Sequence, residues 1–145
     1  MLNVAVLDDY QNVTKKFGNW SELNGKINLT IFNKFFDSSD DLVKCLLDFE
    51  VLCLMRERTV LSASIINKLP KLKLVITTGM WNPSVDTNAL KKREIVFCGT
   101  DNRIESTAEL SWLLTQVVWR NISQEFANMK NGDWQTSIGR TLYGK

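Results

Sequence analysis

Histidine is absent from all 145 residues, so the chain lacks the side chain that titrates nearest neutral pH and the commonest metal ligand. Histidine-based triads, dyads and metalloprotease motifs are excluded on that ground. No two of the seven glycines stand one residue apart, so G-x-G-x-x-G does not occur, and no complete G-x-x-x-x-G-K-[ST] lies within the 145 residues. The chain therefore carries no recognisable nucleotide-phosphate loop of its own. Its three cysteines, Cys45, Cys53 and Cys98, are odd in number and show no C-x-x-C spacing. They read as buried free thiols of a reducing compartment, not as disulfides or zinc ligands. Apolar runs reach only five or six residues, far short of the ~18 that a membrane span needs. Met1 to Leu7 is followed at once by Asp8 and Asp9, unlike a signal peptide, and a cytoplasmic protein is expected. Only two prolines, no repeat and no low-complexity tract interrupt the chain.

Charge is nearly balanced. The net value is +2, with −3 over residues 1–50 and +5 over residues 51–145, too mild and scattered an asymmetry to require nucleic acid or a membrane. Short apolar runs alternate with amphipathic stretches. Leu2 to Leu7, Ile27 to Phe32, Val51 to Met55, Leu72 to Thr77 and Ile95 to Cys98 have the Val/Ile/Leu richness of short buried strands. Between them, Asp9 to Phe17, Ser39 to Phe49, Ser62 to Leu69 and Ser84 to Arg93 are helix candidates. The second carries Leu42, Val43, Leu46 and Leu47 on one face, and Pro70 stands just past the third. Five strands separated by helices imply right-handed crossovers and a doubly wound, mostly parallel α/β sheet. Such sheets place ligands beyond the carboxyl ends of their strands, which singles out the loops that begin at Asp8, Asn33, Arg56, Thr78 and Gly99.

The last forty or so residues depart from this alternation. Glu105 to about Asn131 reads as one long helix with a kink near Asn121. Leu110, Leu113, Leu114, Val117, Val118, Ile122, Phe126 and Met129 form one apolar stripe, and Ala108, Trp112 and Trp119 mark a second face. A helix apolar on two sides needs two partners, one of them another chain or another domain. Gly132 to Lys145 offers no closing element.

Two known chemistries of doubly wound sheets fail on single residues. A phospho-receiver needs an aspartate after the third strand and a lysine after the fifth, where Met55-Arg56 and Cys98-Gly99 stand. A flavodoxin needs a phosphate cradle after the first strand, where Asp8 and Asp9 would repel one. Two loops remain. Met55-Arg56-Glu57-Arg58-Thr59 brings arginines suited to bidentate capture of a carboxylate, and Thr77-Thr78-Gly79-Met80-Trp81-Asn82-Pro83-Ser84 is a glycine turn with backbone N–H donors. A small carboxylic acid fits between them. Structural roles compete: Arg56 and Arg58 pairing with surface acids, Asn82 or Ser84 capping the next helix, Lys91-Lys92-Arg93 as its cationic last turn, and Asp8 and Asp9 solvated at a strand end.

In order along the chain, V-A-V-L-D-D-Y-Q at 4–11, M-R-E-R-T at 55–59, L-P-K-L-K-L-V-I-T-T-G at 69–79, V-D at 85–86 and S-T-A-E-L at 106–110 occur, the last opening the long apolar helix. Together they resemble the N-terminal part of the D-isomer-specific 2-hydroxyacid dehydrogenases, the phosphoglycerate-dehydrogenase-like family. The resemblance implies a flavodoxin-like substrate domain over residues 1–100. Residues 101–145 would then be a crossover helix and the start of an incomplete NAD-binding domain. It also implies that Arg56 and the turn at Thr78, Gly79 and Met80 lie near the substrate carboxylate, and Thr107 near the nicotinamide end of NAD or NADP. The family's dinucleotide fingerprint follows a segment like Thr141-Leu142-Tyr143-Gly144-Lys145, and its catalytic Arg, Glu and His come later still. No catalytic residue or metal ligand is therefore assigned. The loop Asp101-Asn102-Arg103-Ile104-Glu105 also lacks the glycines frequent in the family. Two readings follow. One is a substrate-domain fragment of an oxidoreductase acting on the CH–OH group of a small 2-hydroxy acid, inactive and without NAD affinity by itself. The other is a stand-alone, non-catalytic binding module that dimerises through Trp112 and Trp119.

Overall fold

A computed structural model describes residues 1–101 and 103–144; Asn102 and Lys145, each part of a segment read above, lie outside the described residues. The chain divides into two compact units, Met1–Asn102 and Arg103–Lys145. In the first, strands β1 (Leu2–Val6), β2 (Ile27–Ile31), β3 (Val51–Leu54), β4 (Leu74–Thr77) and β5 (Val96–Gly99) form one all-parallel sheet in the order β2-β1-β3-β4-β5. This is the flavodoxin-like winding, whose order reverses between β1 and β3. Helices α1 (Thr14–Phe17), α2 (Ser39–Leu46), α3 (Ala63–Asn67) and α4 (Thr87–Lys92) lie in the crossovers. Ala5, Leu52 and Val75 stand side by side in register and are fully buried beneath Leu42, Leu46, Ile66 and Leu90.

Helix limits follow the caps. The Ser38 hydroxyl accepts the Asp41 N–H at 3.1 Å and starts α2, with Asp40 and Asp41 in its first turn, where the helix dipole favours them. This helix stops at Leu46, and Leu47, expected on its buried face, is 41% exposed. Instead of beginning at Ser84, α4 begins at Thr87. Residues 84–86 are held extended by Leu61 N–H to the Ser84 carbonyl (2.8 Å) and Asp86 N–H to the Leu61 carbonyl (3.0 Å), and the Asp86 carboxylate then caps the helix. Arg93, past its end, donates to the Leu69 carbonyl at 3.0 Å and to that of Ile66, closing the carbonyl end of α3.

The first crossover departs most from its expected form. Asp8 and Asn12 are left-handed (φ 59° and 53°), so the backbone cannot be helical from Asp9, and a short 3-10 turn at Trp20–Leu23 follows α1. Nor are the thiols buried. Cys45 and Cys98 are exposed and Cys53 is half-buried: Cys45 lies off the apolar face of α2, and Cys98 stands in register with Ile76 and Cys53 on the sheet face opposite Leu52 and Val75.

In the second unit the long helix is two. α5 (Glu105–Trp119) ends at Arg120, Asn121 is left-handed at φ 54°, and α6 (Ile122–Lys130) resumes beyond it. The tail is closed, against expectation. Arg140 N–H donates to the Trp119 carbonyl (3.0 Å), the Trp119 indole N–H to the Thr141 carbonyl (2.9 Å), and Thr136 and Ser137 to the Glu125 carboxylate. Trp112 is 60% exposed, whereas Trp119 is half-buried by this tail. Among the described residues no helix is long and apolar enough to cross a membrane.

Candidate functional site

Loops leaving β1, β3, β4 and β5 meet at the carboxyl ends of the strands. Thr78 N–H extends the sheet to the Leu54 carbonyl at 3.0 Å, and Thr78 Oγ1 accepts the Arg56 N–H at 2.9 Å, tying the two expected binding loops together. Fully buried Asn82 reinforces the tie. Its Nδ2 donates to the Arg56 carbonyl (2.8 Å) and to Thr77 Oγ1 (3.0 Å), while its Oδ1 accepts the Ser84 N–H at 2.9 Å. Asn82 is thus a brace between loops, and Asp86 is the helix cap.

Gly79 turns the chain at φ 98°, a conformation that disfavours any Cβ, and its N–H donates to Thr100 Oγ1 at 3.0 Å. A Cβ at Gly79 would stand 3.4 Å from Arg56 Nη1, so the guanidinium lies against the turn. Gly99 is needed for close approach: a Cβ there would stand 2.5 Å from the Gly79 carbonyl oxygen and 2.7 Å from that of Met80. The structure therefore brings Arg56, Thr78, Gly79 and exposed Met80 together. Arg56 is itself left-handed, at φ 59°. Thr107 belongs to the second unit, in the exposed first turn of α5, where its carbonyl accepts the Ser111 hydroxyl at 2.8 Å.

At the β1/β3 switch point, Asp8 and Asp9 are each 1% exposed, not solvated. Asp8 Oδ1 accepts the Tyr10 hydroxyl at 3.0 Å and Oδ2 accepts the Thr59 hydroxyl. The Asp9 carboxylate accepts the N–H groups of Val13 (3.0 Å) and Thr14 (2.8 Å), which caps α1. Burial pushes the Asp9 carboxyl up, but hydrogen bonds from Thr14, Val13 and Asn12 outweigh it and hold the group below its usual range. The Tyr10 phenol is raised by desolvation and then by the Asp8 hydrogen bond and charge, with Arg58 opposing. Arg58 Nη1 donates to the Asp8 carbonyl at 2.7 Å, and its guanidinium stacks 4.8 Å from the Tyr10 ring centroid. Among the described residues its contacts are thus a carbonyl and a ring, not surface acids. Local sequence points to the loops that carry Asp8, Tyr10, Asn82 and Thr100 but not to their partners Thr59, Arg58, Arg56 and Gly79, which lie on other loops.

A dinucleotide finds little here to hold it. The one candidate, Thr107, shares the first turn of α5 with the Glu105 carboxylate, and that helix starts at Ile104 without a glycine turn. The described residues do not fit the cofactor, and no chemical step is derived through it.

A parallel 2-1-3-4-5 sheet with an arginine and a glycine turn beyond its carboxyl edge defines a flavodoxin-like domain. The chain belongs to the D-isomer specific 2-hydroxyacid dehydrogenases, whose catalytic-domain model matches residues 4–132. The D-3-phosphoglycerate dehydrogenase of Homo sapiens is 33% identical over 111 residues, 74% of this chain and 21% of that one; that of Methanocaldococcus jannaschii is 31% identical over the same shares. A phosphoglycerate oxidoreductase from Vibrio cholerae superposes with a TM-score of 0.89 at 30% identity, over 100% of this chain and 47% of that chain. A D-lactate dehydrogenase from Aquifex aeolicus, solved with NAD and lactic acid, shares the fold at 18% identity and a TM-score of 0.67, over 97% of this chain and 41% of that chain. The chain spans about a fifth of the length of the curated relatives it matches and under half of the solved chains.

Proposed function

We propose that this chain supplies the acid-binding part of an NAD(P)-dependent oxidoreductase acting on the CH–OH group of a small 2-hydroxy acid, and that it is inactive by itself. One observation carries the reading: the Arg56 guanidinium lies against the Gly79 turn, where a Cβ would be 3.4 Å from Nη1. A carboxylate there would take a charge-assisted hydrogen bond from Arg56 and the backbone N–H of Met80, the Gly79 N–H being engaged by Thr100 Oγ1. The Thr78 hydroxyl fixes the Arg56 backbone beside them. Residues 1–100 act as the substrate domain, and residues 101–145 as the crossover into a nucleotide-binding domain with Thr107 near the nicotinamide. In a complete enzyme NAD or NADP would supply the hydride chemistry, and no residue of this chain is assigned to hold it. The residues of this chain bind and orient the acid.

A steady-state assay tests the division of labour. The purified chain, given NADH and pyruvate, glyoxylate or another 2-oxo acid, is expected to oxidise no NADH and to retain none in equilibrium dialysis. Turnover by the chain alone would overturn it. Arg56→Gln is expected to weaken 2-oxo acid binding by about tenfold, the scale of one charge-assisted hydrogen bond.

Exposure of Leu110, Trp112, Leu113, Leu114 and Val118 on α5 favours a second reading, a module that assembles through this helix. Trp112→Ala is expected to lower self-association in sedimentation. Trp119→Ala is expected to release the tail as well, since its indole N–H holds Thr141. Unchanged sedimentation in both variants would contradict this reading.

A further inference from the structure

Met80 and Trp81 follow Gly79 on the turn that leaves β4, and they are 77% and 68% exposed. Two large apolar side chains left in water side by side mark a contact surface more often than a packing one. Their exposure does not come from a loose backbone. Thr100 holds Gly79 twice, its hydroxyl accepting the Gly79 N–H at 3.0 Å and its N–H donating to the Gly79 carbonyl at 3.1 Å. Fully buried Asn82 closes the other end of the turn on the Arg56 carbonyl and Thr77 Oγ1. Met80 and Trp81 stand between these two anchors. Among the described residues the Met80 N–H and the Trp81 indole N–H have no hydrogen-bond partner, and the Trp81 ring has no ring contact.

We propose that Met80 and Trp81 select the substituent beyond C2 of the acid, favouring a branched hydrocarbon chain over a charged one. This inference rests on the acid-binding function proposed above and narrows its substrate class to 2-oxo and 2-hydroxy acids with an apolar side chain. A carboxylate on the Met80 N–H lies about 2.9 Å from that nitrogen, and the Met80 side chain starts two bonds from the same atom. Trp81 stands one residue, about 3.8 Å of chain, further on. A hydrocarbon chain laid against these side chains removes apolar surface from water, worth about fourfold in affinity for each methylene fully covered. A second anionic group finds no cation on this turn. Residues 77–84 carry no charged side chain, and exposed Asp101 follows Thr100 where the β5 loop meets Gly79, adding repulsion.

Calorimetric titration of the purified chain with pyruvate, 4-methyl-2-oxopentanoate and 2-oxoglutarate tests the inference. The last two have nearly the same length, but one ends in a branched hydrocarbon and the other in a carboxylate. 4-Methyl-2-oxopentanoate is expected to bind about tenfold tighter than pyruvate, and 2-oxoglutarate no tighter than pyruvate. Met80→Ala and Trp81→Ala should each bring the ratio of the branched acid to pyruvate below about threefold, whereas Trp81→Phe, which keeps an apolar ring, should preserve it. Arg56→Gln should weaken all of the acids and leave their ratios in place. Equal affinities for pyruvate and the branched acid, or tightest binding of 2-oxoglutarate, would overturn the selectivity while the acid-binding reading stands. Binding indifferent to Arg56→Gln, or none at millimolar acid, would overturn the acid-binding reading and the selectivity with it.

Discussion

Cys53 sits on β3 between Val6 of β1 and Ile76 of β4. Burial, followed by the nearby Cys98, raises its thiol to about 11. Roughly one molecule in 1,000 then carries the Cys53 thiolate at pH 8, and the thiolate is the nucleophile. Iodoacetamide at pH 8 is therefore expected to alkylate exposed Cys45 and Cys98 well before Cys53, as read by peptide mass mapping; equal rates would contradict the burial. Gly99 is constrained by contact, not charge. Gly99→Ala places a Cβ against the carbonyls of Gly79 and Met80, and a loss of about 1–3 kcal/mol in urea unfolding is expected. At this scale the sequence is least informative. Asp8 and Asp9 look like any acidic pair at a strand end. Only the approach of Thr59, 51 residues away, and the turn of Val13 and Thr14 back onto Asp9 make them buried anchors.

The elements themselves were legible, because each strand is a short Val/Ile/Leu run and each helix lies between two of them. Limits were harder, since they depend on caps and on pairings distant in sequence. Residues 84–86 look helical until Leu61 pairs with them. The kink near Asn121 was legible because Arg120-Asn121 interrupts the apolar stripe. The left-handed φ of 54° shows that it is a break between two helices. Asn121→Ala should cost about 1–2 kcal/mol, because an L side chain other than Asn or Asp is strained there, whereas Asn121→Gly should be near neutral. Hydrogen-exchange protection of α6 measures both. The Arg56 and Gly79 loops were found by residue type alone, but their adjacency rests on Thr78, Asn82 and Thr100, whose roles arise only once β3, β4 and β5 are aligned.

Each unit of the whole molecule has its own source of pH dependence. Hydrogen bonding from Ser137, with Thr136 behind it, outweighs the upward push of burial and holds the Glu125 carboxyl below its ordinary range. A lowered folded-state pKa means that the stabilisation is present in full above the ordinary glutamate value of about 4.3 and is lost as pH falls through the lowered one. Protection of the Thr136 and Ser137 amides should fall off below about pH 4, and Glu125→Gln should flatten that dependence. In the first unit Asp9 acts with the same sign through the N-terminus of α1.

The central claim is that a small 2-oxo or 2-hydroxy acid binds where the β3 and β4 loops meet. Titrating uniformly ¹⁵N-labelled chain with pyruvate tests it most directly. The account predicts saturable amide shifts at Arg56, Thr78, Gly79 and Met80 that vanish in Arg56→Gln. Shifts confined to other residues, or no shifts at millimolar pyruvate, would contradict it.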